Sequence, residues 1–134
     1  MLFTLIANHY LCNMADEITL VIGASDNPER YSYKAIKMLR GHGHPVVAVG
    51  KHKGNVAGVD FVQEIPADLH PDTVTLYVNP SIQKDYYDKI VALKPRRVIF
   101  NPGTENDEFE SLVQKNGIEP VEACTLVLLS TNQF

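Results

Sequence analysis

The sequence is short of cysteine, of net positive charge and of long apolar runs, and each shortage removes a class of protein. Its only cysteines are Cys12 and Cys124. Two distant thiols in a chain without a secretory signal read as reduced core residues, not as a disulfide framework. No grouping of cysteine and histidine has metal-site spacing. His42 and His44, in "GHGHP", read as a polar turn after a helix, so no metal is expected. A formal charge of −4 lacks the basic surplus of a nucleic-acid-binding protein. The apolar opening "MLFTLIANHYLCN" is too short to span a bilayer, has no basic flank and shows no small-residue cleavage site. With neither a membrane nor a secretory route indicated, the expected location is the cytoplasm.

Catalytic signatures are equally scarce. There is no Gly-x-Ser-x-Gly elbow, no Walker loop and no pattern of paired carboxylates. Cys124 sits in an apolar context and reads as an inert thiol. Glu105 follows Gly103-Thr104 at a helix start, where the dipole favours an acid. Tyr86 and Tyr87 read as helix packing. No catalytic residue is therefore expected.

What remains is an ordinary globular composition, 45% apolar and 21% charged over 134 residues, enough for one core. The expected division is an extension of unassigned shape over residues 1–14 and one domain over residues 15–134. "MADEITLVIG", from Met14, reads as a natural start just before the first strand, so the extension is expected to be dispensable. An extra edge strand or short helix, a mobile tail and a start codon assigned too early are the competing readings.

Short apolar runs alternate with segments of helical period. Ile18–Ile22, "PVVAVG" (45–50), "TVTLYVNP" (73–80) and "RVIFNPG" (97–103) read as buried strands. A shorter strand is expected near Phe61–Val62. The helix over 33–40 ends at Gly41 and Gly43. The next helix is capped by Ser81 and turns Ile82, Tyr86, Ile90 and Leu93 to one face. Thr104 and Asp107 resemble a capping box for a third, which carries Phe109, Leu112 and Val113 and ends at Asn116-Gly117. "IEPVEACTLVLLS" gives a last strand, followed by a helix or by more strand. The pattern predicts a three-layer α/β fold, a doubly wound parallel sheet of Rossmann-like type.

Ligands of such sheets lie beyond the carboxyl ends of the strands, and these ends are chemically distinctive. The first runs through "LVIGASDNPERYSY". Gly23, Ala24 and Ser25 offer an unobstructed turn, and Arg30 and Ser32 add a cation and a hydroxyl, a set suited to phosphate. A merely tight strand-to-helix connection would also place a glycine there. The second exit carries Lys51, His52 and Lys53, where an NAD site usually has an acid. Lysines attract a ribose phosphate, which favours coenzyme A or NADP and disfavours NAD; a solvated basic loop is the bland alternative. The remaining exits are Asn79-Pro80-Ser81 and Asn101-Pro102-Gly103-Thr104.

In these residues, and in the ordered set "RYSYKAIKML", "VVAVG", "YVNP", "NPGTEN" and "NGIEPVEAC", the chain resembles the small CoA-binding domain proteins, related in fold to the nucleotide-binding part of the succinyl-CoA synthetase α subunit. The resemblance runs from about Ile18 to Cys124. It implies that CoA lies across the carboxyl edge, with Gly23, Ala24, Ser25, Arg30 and Ser32 at its phosphates. Lys51 and Lys53 would approach its nucleotide end, and Asn79, Pro80, Asn101, Pro102 and Gly103 would line its path. The chain departs from the pattern at Gly50-Lys51-His52, where many relatives have Asn-Pro, and it has no counterpart of the synthetase's phosphohistidine domain. The resemblance thus implies binding of CoA or an acyl-CoA without chemistry of its own, beside a partner enzyme or a second copy. An NADP-dependent oxidoreductase, a subunit of an acyl-CoA ligase and a ligand-free interaction module are the alternatives.

Overall fold

The computed structural model describes residues 17–134. The extension over 1–14 and Cys12 lie outside the described residues.

Strands β1 (Thr19–Ile22), β5 (Thr73–Leu76) and β6 (Arg97–Phe100) are buried at every position. Such runs suit a parallel sheet covered on both faces. With β2 (Val46–Val49), β3 (Asn55–Val56), β4 (Val59–Val62) and β7 (Glu119–Glu122) they form a seven-stranded sheet in the order β3-β4-β2-β1-β5-β6-β7. Every pairing is parallel except β3 with β4, a tight hairpin through Ala57 and Gly58, both at positive φ. The sheet grows from β1 to β2 on one side and resumes at β5 on the other. The order therefore reverses at β1, and β1 and β5 part there at their carboxyl ends.

Alternation along each strand divides the core between the two faces. Leu20, Ile22, Val74, Leu76 and Phe100 face Ile90 of helix α3 (Tyr87–Leu93) and Phe109 and Val113 of α4 (Asp107–Lys115). Val21 and Ala48 face Ile36 and Leu39 of α1 (Tyr31–Gly41) and Leu129 of α5 (Thr125–Ser130). The result is a three-layer, Rossmann-like α/β fold.

Several local expectations are corrected. Helix α1 begins at Tyr31, earlier than the periodicity suggested. Ser81 does not cap the next helix, α2 (Pro80–Gln83); Asn79 does, its Oδ1 accepting from the Ile82 N–H at 3.1 Å. Pro80 fixes the first helical position, where its missing N–H costs nothing. Ser81 instead donates to Asn79 Oδ1 at 2.7 Å. A 3₁₀ turn over Lys84–Tyr86 then separates α2 from α3, so the expected single face is split. The Thr104–Asp107 box also fails: Asn106 caps α4, accepting from the Phe109 N–H at 3.2 Å. Thr104 Oγ1 donates backward to Asn101 O at 2.8 Å. The segment left open after β7 is helical, α5. "GHGHP" closes α1, with His42 Nδ1 2.8 Å from Met38 O and Gly43 at φ +80°, at the sheet edge opposite the parallel strands' exits.

Candidate ligand cleft

The β1 exit is built by close approach. Gly23 takes φ +98°, and a Cβ there would stand 2.9 Å from Val78 Cγ1 and 3.0 Å from the Tyr77 carbonyl carbon. Only glycine fits between the parting ends of β1 and β5. The Gly23 and Ala24 N–H groups both donate to Val49 O, at 2.9 and 2.8 Å. That corrects one detail of the phosphate-turn reading, since these two donors are held by the sheet. The Ser25 and Asp26 N–H groups, by contrast, find no acceptor among the described residues. Ser25 Oγ accepts from Asn27 N–H at 3.1 Å, which shapes the turn. Helix α1 follows with no side-chain cap and no acid in its first turn. Its leading N–H groups and dipole favour an anion.

The basic loop stands beside this turn. Gly50 N–H donates to Val62 O at 3.0 Å, and a Cβ on Gly50 would lie 2.9 Å from Ala24 O. At the loop's far end Phe61 N–H donates to Gly54 O at 2.9 Å, and a Cβ on Gly54 would lie 2.7 Å from Phe61 Cε2. Hairpin β3–β4 thus clamps both ends, and an Asn55–Asp60 side-chain bond of 2.8 Å reinforces it. Lys51, His52 and Lys53 are left exposed between the clamps.

Together these segments enclose a cleft of about 590 Å³ at the carboxyl edge. Of the residues singled out in the sequence, Gly23, Ala24, Ser25, Arg30, Ser32, Lys51, Lys53, Asn79, Pro102 and Gly103 line it. Pro80 and Asn101 do not. Pro80 starts α2. Asn101 is buried, its Nδ2 donating to Thr75 Oγ1 at 2.7 Å and Leu76 O at 2.8 Å, its Oδ1 accepting from Thr125 N–H at 2.9 Å. It is a strut joining β5, β6 and α5. A second strut, Gln83, donates to Val78 O at 2.9 Å and Thr104 O at 2.8 Å and so ties the other two exits together.

The lining also includes residues that the sequence reading did not assign to the site: Asp26, Phe61, Tyr77, Ile82, Tyr86 and Thr104. Ile82 and Tyr86 had been visible only as a helical face; Ile82 reaches the cleft from α2 and Tyr86 from the 3₁₀ turn. Tyr86 also packs against the core, and Tyr87 stacks on Phe109 with ring centroids 4.3 Å apart, as helix packing requires. Burial pushes the Tyr77 phenol up to about 12, against the opposing influence of the nearby Thr125 and Thr75 hydroxyls. Those hydroxyls bond each other at 2.8 Å, and the Tyr77 hydroxyl has no hydrogen-bond partner among the described residues. Tyr77 is therefore a neutral wall at physiological pH, not a base.

A glycine turn, an uncapped helix start and a basic loop surround a crevice at the reversal point of an α/β sheet. The chain belongs to the CoA-binding domain family, whose model matches residues 17–130. A crystal structure of an uncharacterized protein is 50% identical, with a TM-score of 0.85 over 88% of this chain and 98% of that one. A Thermus thermophilus protein is 24% identical, with a TM-score of 0.76 over 94% of this chain and 98% of that one. A hypothetical protein from Pyrococcus horikoshii shares 24% identity, with a TM-score of 0.76 over 92% and 89%. These last two likenesses speak to the fold alone. No curated protein matches. No helix among the described residues is long and apolar enough to cross a membrane.

Proposed function

We propose that the chain binds coenzyme A or an acyl-CoA in this cleft and presents it to a partner enzyme, without chemistry of its own. Family membership supports CoA binding in general. The observation that carries the finer reading is the placement of Lys51 and Lys53 in a loop clamped against the Gly23–Ser25 turn. In this reading Ser25, Arg30, Ser32 and the start of α1 hold the diphosphate, and the two lysines hold the ribose 3′-phosphate. Asn79, Ile82, Tyr86, Pro102 and Gly103 border the pantetheine arm. The free Cys124 thiol fits a reducing, cytoplasmic setting.

Calorimetric titration with CoA, NADP and NAD tests the reading. CoA should bind tightest and NAD weakest. A protein that takes up none of the three, and whose melting temperature none of them shifts, would instead be a ligand-free interaction module.

A further inference from the structure

Among the described residues lining the cleft, Asp26 is the only carboxylate, and it shares that lining with Arg30, Lys51 and Lys53. Its position is specific. Asp26 Oδ2 lies 3.4 Å from where a Cβ on Gly54 would stand, so the carboxylate rests against the end of the lysine loop. It forms no ion pair with either lysine. The cleft thus holds an acceptor and a pair of cations in one lining, with no ion pair between them.

A phosphorylated ribose offers the complementary pair: a hydroxyl and a phosphate on adjacent carbons. A carboxylate accepts a strong hydrogen bond from the hydroxyl and repels the phosphate, while the lysines do the reverse. We propose that Asp26 is a specificity-determining residue: its carboxylate accepts the ribose 2′-hydroxyl while Lys51 and Lys53 take the 3′-phosphate. A 2′-phosphate, as in NADP, then meets the carboxylate and is rejected. The inference rests on the CoA reading above and adds to it the position of the phosphate.

Adenosine 3′,5′-bisphosphate and adenosine 2′,5′-bisphosphate differ only in that position, and they are the probes. Competition against CoA on the wild type should favour the 3′ isomer by about tenfold or more, the share of one charge-assisted contact. Asp26→Asn should cut that preference by about tenfold, chiefly by tightening the 2′ isomer, with CoA still bound. The side chain is exposed, so the melting temperature should hold. An unchanged ratio in Asp26→Asn overturns the inference and leaves the CoA reading standing. So does an equal tightening of both isomers, which would make Asp26 a general repulsive charge. A wild-type protein that does not bind CoA overturns the reading beneath it.

Discussion

Gly23 and Asn101 show how differently two polar-looking exit residues act. Gly23 holds φ +98° with neighbours at 2.9 and 3.0 Å from any added Cβ. Gly23→Ala should therefore lose about 2 kcal/mol of stability, from strain and from forced separation of β1 and β5. Urea denaturation reads this directly. Asn101 satisfies three buried partners at once. Asn101→Ala should lose about 2–3 kcal/mol by orphaning them, with CoA affinity affected only through the fold. An Asn101→Ala protein of wild-type stability but weakened CoA binding would return the residue to the ligand. The sequence placed both at strand exits but gave no direction for their side chains. Phe100 packs with Phe109 on one face, so the next side chain, Asn101, turns to the other, where Thr75 and Thr125 wait. That partner set is tertiary and leaves no mark on the chain.

Among the elements, hairpin β3–β4 has the clearest functional consequence. Phe61 packs against the Gly54 end of the lysine loop, and both clamps depend on β4. Gly54→Ala should push the loop from the ring, weakening CoA by about tenfold while leaving dephospho-CoA nearly unchanged, as one displaced charge contact implies. Another element junction reports on pH. Arg96 donates to both oxygens of Asp72, at 2.9 and 3.0 Å, beside the β5–β6 pair. Burial alone would raise the Asp72 carboxyl, but the Arg96 and Thr73 bonds outweigh it and the net shift is downward. A depressed folded value means stability present above the ordinary carboxylate range and lost as pH falls through the folded value. Asp72→Asn should lose no more than about 1 kcal/mol at neutral pH, because solvent screens the pair. The difference from wild type should shrink as acid is added, in urea melts taken across pH. Strands and helices were legible because apolar runs and helical periods differ in length. Caps were not, because Asn79 competes with Ser81 and Asn106 with Thr104. Pro80 at the first helical position decides the first contest, and a 2.9 Å bond from Asn106 Nδ2 to Gln83 Oε1 the second.

At the scale of the molecule, strand order turns separate sequence motifs into one site. A chain of net charge −4 gathers Arg30, Lys51 and Lys53 at one edge because β1 lies between β2 and β5. The β1 and β2 exits were legible as a glycine turn and a basic loop, since their chemistry lies in consecutive residues. The apolar side of the cleft was not, because the break between α2, which carries Ile82, and the 3₁₀ turn, which carries Tyr86, has no distinct sequence signal. Parallel calorimetry of CoA and dephospho-CoA on the unmodified protein tests the central claim, that the clamped lysines read a ribose phosphate. CoA should bind at least about tenfold tighter, with a gap that narrows as salt is raised. Equal affinities at low salt would contradict the account.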